Sequence, residues 1–354
     1  MRFSAIVLLA LMLAPAGAQA QTFVTAKFGG DFLSVGAGAR ALGMGSAHAA
    51  VVGDVTAAYW NPAGLANVEK LDIAYMHSER FSGIVSYDYG AIALPLKQRN
   101  GVIALSIFRQ GVDNIANTLN AFDRERNLPR ENVQDFIEEF SVTDLAFLLS
   151  YAQKVNDQLA WGVNAKIINH SLGPFADGWG YSLDAGLQYQ TGRTLLGVQV
   201  MDLTTMMKFW SVNRDAFGDF EETFDDELPT GQNERVLPTV KAGVGRLFDF
   251  DDIQLTAAAD VDIRFENRRT FFINMGRVSF EPHIGVEGTY LQRLSLRAGV
   301  TDFTTDPDNR LFMSPTLGAG LHLGSVFIDY GFSNFGGQAS VLGLSHRISL
   351  RVTI

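Results

Sequence analysis

The strongest constraint on this chain is a strict alternation of side-chain character in its last segment. Between 342 and 354 the even positions are Leu342, Leu344, His346, Ile348, Leu350, Val352 and Ile354, and the odd positions are Gly343, Ser345, Arg347, Ser349, Arg351 and Thr353. Successive side chains of a β-strand point to opposite faces. As a strand, the segment has a nearly all-aliphatic face backed by one that carries two arginines. The period recurs upstream. Ile253, Leu255, Ala257, Ala259, Val261, Ile263 and Phe265 oppose Gln254, Thr256, Asp260, Asp262 and Arg264. Trp179, Tyr181, Leu183, Ala185, Leu187 and Tyr189 oppose Ser182, Asp184, Gly186 and Gln188. Leu294, Leu296, Ala298 and Val300 oppose Ser295, Arg297 and Gly299.

Alternation also fits the half-buried strands of a soluble sandwich. Three features favour a barrel in lipid. The runs approach the roughly 9–11 residues a tilted strand needs to cross a bilayer, and exceed the common strand length of about 5–6. Trp179, Tyr181 and Tyr189 bracket aliphatic residues, as interfacial girdles do. The chain also ends on a long strand, which can close on the first and leave no edge.

Residues 1–20 have the character of a secretory leader. Arg2 is followed by an apolar run, 6–14, and Ala18-Gln19-Ala20 supplies a small-x-small cleavage site, so a mature start at Gln21 is expected. The run is too short for a transmembrane helix, and no later apolar stretch is long enough. The chain has no cysteine, which excludes disulfides and thiolate chemistry. A net charge of -10 argues against nucleic acid as a partner.

Fourteen segments carry strand character: 71–78, 84–95, 101–112, 143–154, 157–170, 178–190, 194–203, 236–248, 252–265, 280–290, 293–302, 315–324, 325–335 and 340–354. The second and third alternate poorly. Connections after even-numbered strands are short, such as Asn156, Gly192-Arg193, Gln292 and Gly324, and most after odd-numbered strands are long: 113–142, 204–235, 266–279 and 302–314. Outer-membrane barrels have short periplasmic turns, long extracellular loops and an even strand count. The expected fold is all-β: a transmembrane antiparallel β-barrel of about 14 strands over 71–354, in the outer membrane, with outer-membrane lipid around it.

Residues 21–70 do not alternate. They hold a small-residue stretch with Gly36, Gly38, Arg40, Gly43 and Gly45, and then Ala57-Ala58-Tyr59-Trp60-Asn61-Pro62-Ala63-Gly64. Asn61-Pro62 suits a helix start, with Asn as cap and Pro at the first helical position. Such a segment ahead of a barrel fits inside the lumen as a plug, or hatch, with short helices. The glycines are not a phosphate loop, because no strand precedes them and no acidic ribose partner follows.

The stretch 32–66 resembles the hallmark of the PorV/PorQ family, a branch of the FadL-like outer-membrane barrels, and Ser345-His346-Arg347-Ile348-Ser349-Leu350 resembles that family's closing strand. The terminal Ile354 departs from the aromatic that usually ends such barrels. The resemblance implies a 14-stranded barrel with a hatch. It also implies a role with type IX secretion, with secretion-system proteins and secreted cargo as partners. The FadL-like fold implies the alternative, a channel for hydrophobic small molecules.

The lumen-lining candidates are Lys166, Asp184, Asp260, Asp262, Arg264, Glu287, Arg297, Asp329, Arg347 and Arg351, with Lys154 and Arg293 at strand ends. They form either a polar conduit or a salt-bridged network that holds the hatch, and buried charges are normally paired. The segment 204–235 sets Met206, Met207, Phe209, Trp210, Phe217, Phe220 and Phe224 among acidic residues. Exposed aromatics mark partner-binding surfaces, and the competing reading is a packed lid. The histidines lack the close spacing of zinc signatures, and no nucleophile elbow appears, so neither a metal, a cofactor nor an enzyme is expected.

Overall fold

In the computed structural model the chain is a closed antiparallel barrel of fourteen strands. The structure describes residues 23–354 except 27–28, 82, 97–99, 124–125, 127, 219, 222–226, 229–230, 267, 269–270, 306–309 and 335–343. The expected leader 1–20, the start at Gln21 and the candidate Phe224 lie outside the described residues. The wall strands are β1 (Asp72–Arg80), β2 (Val85–Leu96), β3 (Gly101–Asn117), β4 (Glu138–Lys154), β5 (Leu159–Leu172), β6 (Ala176–Thr191) and β7 (Thr194–Met201). They continue as β8 (Thr239–Phe250), β9 (Ile253–Arg264), β10 (Val278–Tyr290), β11 (Leu294–Thr305), β12 (Leu311–Leu323), β13 (Val326–Asn334) and β14 (Leu344–Thr353). Closure is direct: β14 pairs antiparallel with β1, setting Val352 against Ile73 and His346 against Glu79. Among the described wall strands, closure leaves no free edge.

All fourteen expected segments form wall strands, and the outer ends of β1, β3 to β6 and β10 to β12 extend further than the alternation showed. β4 begins at Glu138, and β3 runs to Asn117 through an irregularity between Val112 and Ile115. Short turns join β4 to β5, β6 to β7, β8 to β9, β10 to β11 and β12 to β13, all at one end. By the length rule that end is periplasmic.

The alternation sorts as the pattern requires. Leu149, Leu187, Leu296 and Ile348 lie outward, each more than half exposed. A continuous aliphatic exterior on a closed barrel has one stable medium, the hydrocarbon of a bilayer, and the protein is a bacterial outer-membrane barrel. Tyr151 and Trp161, with ring centroids 5.7 Å apart, lie near the periplasmic turns, and Trp179 and Tyr181 toward the opposite rim. These are the two girdles.

The weak alternation of β2 and β3 has a physical cause. Their lumen faces carry Tyr87, Tyr89, Ala91, Ala93, Val102, Ala104 and Phe108, all buried. Both faces are apolar here because the inner one packs on the hatch. Tyr59 lies 5.4 Å from Phe108 and 4.9 Å from Trp60, centroid to centroid. Buried large apolar side chains contribute about 1.5–3 kcal/mol each, so this cluster is the principal apolar anchor of the hatch.

The segment 204–235 differs from the expected open loop. Met206–Val212 is a strand that pairs with the outer half of β6, from Met207 opposite Tyr181 to Val212 opposite Ala176. Glu234–Val236 pairs with it in turn, and Val24–Thr25 adds in parallel to Glu234–Val236. The wall is thus raised above the membrane on this side. Its Met-Met-Lys-Phe-Trp run puts large apolar side chains on both faces, with Lys208 among the inner ones, which concealed the period of two.

Candidate functional site

The hatch, 31–67, crosses the lumen as short helical turns: Asp31–Val35, Ala39–Gly43, Ala57–Trp60 and Pro62–Asn67. Asn61 caps the last, its side chain accepting from Ala63 N at 3.2 Å, and Pro62 opens it. The Asn61 amide also donates to Ala49 O and to Leu187 O of β6, both at 3.0 Å. One residue therefore starts a helix, ties two parts of the hatch together and ties both to the wall.

Close approach explains the glycines. Gly36, at φ 80°, lies under the Trp60 ring, where a Cβ would come within 2.6 Å. Gly43 rests on Gly318, and Gly45 on Ile284 and Val300; Gly64 abuts the Val52 carbonyl. The wall answers with glycines of its own. A Cβ at Gly162, Gly186, Gly197, Gly285 or Gly299 would overlap the hatch at Pro62, Asn61, Ala49, Met44 or Gly45 respectively. At these positions hatch and wall meet backbone to backbone, with no side chain between them.

Polar contacts add to this packing. Arg40 donates to both oxygens of Glu287, at 2.9 and 2.7 Å; Glu287 also accepts from Arg297, which reaches Asp329 at 2.7 Å. Asp260 accepts from the backbone N–H of His48 and of Ala49, each at 2.7 Å. Arg347 donates to Gly38 O and Val35 O, and Arg351 bonds Asp72 at 3.1 Å and faces Asp54 at 3.9 Å. Lys166 lies between Asp184 and Asp202 at 3.1 and 2.6 Å; Lys241 pairs with Asp262, and Arg264 with Glu281 at 3.6 Å. Eight of the ten lumen-lining candidates are thus ion-paired, while Asp260 and Arg347 bond the hatch backbone. Lys154 and Arg293 lie exposed at the periplasmic ends of their strands.

Burial sets the charge state of the hatch. It drives the His48 imidazole down to about 3, helped by the Arg40 charge, so His48 is neutral. Burial would raise the Asp54 carboxyl, but Arg351, Arg40 and the Thr56 hydroxyl outweigh it and hold the group at about 2. The Tyr59 phenol is pushed up by burial.

The hatch divides the lumen. On its outer side is a cavity of about 150 Å³. One wall is apolar, with Leu33, Val35, Trp60, Met201, Met206 and Val236; the other is charged, with Asp262, Arg264, Arg268, Glu281 and Arg347. On the periplasmic side is a second cavity of about 250 Å³, lined by Arg40, Asn67, Lys154, Gln188 and Gln190 among others.

The partner-loop candidates part company. Met206 is fully buried in the lumen, and Trp210 turns toward His170 with centroids 5.7 Å apart. Met207 and Phe209 face outward, Phe209 stacked on Tyr181 at 6.1 Å and edge-on to Phe23 at 5.7 Å. Phe217 packs between Phe175 and Phe220 at 5.0 and 6.2 Å. Sequence reasoning missed one grouping. Asp262, Glu281 and His283 bring an oxygen or nitrogen each within 4.8 Å of one another. Only the strand register, which sets Asp262 opposite Glu281, could have brought them together.

No family model and no curated protein matches the chain. Solved structures match its fold. The toluene transporter TodX of Pseudomonas putida superposes with TM-score 0.58 at 13% identity, over 90% of this chain and 99% of that one. The toluene transporter TbuX of Ralstonia pickettii gives 0.52 at 13%, over 90% and 98%. The monoaromatic hydrocarbon channel CymD gives 0.53 at 15%, over 90% and 98%. The chain therefore shares with these transporters and this channel their fold, a closed antiparallel barrel, here of fourteen strands.

Proposed function

We propose that the protein conducts small, largely hydrophobic molecules across the outer membrane. The observation that carries this is the outer cavity, half of it apolar, which Leu33, Val35 and Trp60 of the hatch help to line. Val35, Met201 and Val236 are the partly exposed apolar residues that line this cavity. The charged wall opposite suits a polar group on the same molecule. Fold neighbours named for toluene and monoaromatic hydrocarbons support the reading without identifying the solute. The test is uptake of radiolabelled toluene by cells lacking other hydrocarbon channels. Expression should raise uptake, and Val236→Trp, which fills the cavity, should abolish the gain while heat-modifiable gel mobility shows an assembled barrel. No gain over empty vector refutes the reading for this solute class.

The second reading is cargo handling in type IX secretion, which rests on the resemblance of 32–66 to the PorV/PorQ hallmark. One observation favours it: the outward shelf of Met207, Phe209, Tyr181 and Phe23. A few large side chains dominate protein contacts. Met207→Ser with Phe209→Ser should then reduce secretion and leave toluene uptake unchanged.

A further inference from the structure

In the wall of the outer cavity Asp262 and Glu281 are paired with Lys241 and Arg264, but His283 beside them keeps a ring nitrogen without a hydrogen-bond partner. His283 of β10 is 5% exposed, and its Nδ1 lies 3.1 Å from the carbonyl oxygen of Gly45 in the hatch and 2.9 Å from the Thr301 hydroxyl. A carbonyl oxygen only accepts, so Nδ1 donates to it and Nε2 is the nitrogen left to bind a metal. That Nε2 is buried with no hydrogen-bond partner. It points at Asp262 Oδ2, 3.8 Å away, beyond hydrogen-bond range. Glu281 completes the group, two residues from His283 on the same face and directly across from Asp262. Facing strand positions have Cβ atoms about 4.5–5.5 Å apart, so two rigid neighbouring strands fix all three donors.

We propose that Asp262, Glu281 and His283 form a binding site for a divalent transition metal of the zinc class. One imidazole nitrogen and two carboxylate oxygens are ligands zinc takes, and three protein ligands leave a fourth position for water or a solute atom. That position opens on the cavity, which all three residues line. Metal-binding histidines donate their other N–H to a carbonyl or carboxylate, fixing the ring, and Gly45 O does this for His283. Two cations compete: Arg264 for Glu281, and Lys241, whose ammonium occupies Asp262. The ring of Trp60, 5.5 Å from that ammonium, gives it a second place to rest when metal enters. Because Gly45 belongs to the hatch, the site also joins hatch to wall.

The test uses untagged mature protein in detergent micelles, stripped with chelator and titrated with Zn²⁺ by calorimetry and with Co²⁺ by visible absorption. One equivalent should bind per chain, with tetrahedral Co²⁺ bands. His283→Gln and Glu281→Gln should each weaken binding at least about tenfold, the lower bound known for outer-shell changes. Lys241→Gln should tighten it, which a plain salt-bridge cluster gives no reason to expect. His77→Gln, at an exposed histidine beside Asp88 and Glu79, should change nothing. Gel mobility confirms that each variant is an assembled barrel. Absence of stoichiometric binding to the parent protein, or binding that survives both His283→Gln and Glu281→Gln, overturns the proposal.

Discussion

Glu287→Gln tests how far the hatch depends on its charged anchor. Glu287 is 5% exposed and accepts from two guanidinium groups, Arg40 of the hatch and Arg297 of β11. Removing one member of a buried ion pair costs about 3–5 kcal/mol, because a charge is left uncompensated. The Arg297 side chain is 1% exposed but keeps Asp329; the Arg40 side chain is 29% exposed, and water recovers part of its loss. The low end applies, about 3 kcal/mol, which is more than a hundredfold in the folding equilibrium at about 1.4 kcal/mol per decade. Urea unfolding in detergent micelles, followed by tryptophan emission and gel mobility, measures it. Limited proteolysis should show 31–67 cut before the barrel opens. A loss below about 1 kcal/mol, the range of exposed pairs, would refute the anchor.

Two further outcomes follow from face and topology. Val352→Arg should cost up to about 2–4 kcal/mol if the position lies near the midplane, and less toward the interface. Arg351→Ser should leave the barrel assembled and free Asp54 of the hatch, seen as faster proteolysis within 31–67. Equal loss of heat-modifiable mobility in both would overturn the face assignment. A cysteine at Glu131, exposed in the long connection after β3, should label in intact cells, and one at Gln158, in the turn after β4, only once the envelope is opened. Labelling of the Gln158 cysteine in intact cells would invert the barrel.

Much of the barrel was legible because a lipid-facing strand must alternate. Leu344, Ile348 and Leu350 declare their face without reference to any partner. β2 and β3 were harder to see because Tyr87, Tyr89 and Phe108 serve a second apolar surface, the hatch, which only folding brings to them. The strand Met206–Val212 was hidden for the same reason: Met206 and Trp210 turn inward while Met207 and Phe209 stay apolar outside. Charges on the inner face were visible one at a time, but not who meets whom. Arg40 and Glu287 are 247 residues apart, and their meeting depends on where the hatch crosses the lumen. Asp262 and His283 likewise come together through the register of β9 on β10, which no spacing along one strand reveals.

The claim beneath all of this is that the hatch closes the lumen, and ion conductance across planar bilayers tests it most directly. The parent barrel should show no steady pore. Gly285→Val drives a side chain into the backbone of Met44 and should unseat the hatch and open a lasting conductance; Gly288→Val, where a Cβ meets nothing within 4 Å, should remain closed. Steady conductance by the parent barrel, or a Gly285→Val barrel as tight as the parent, would contradict the account.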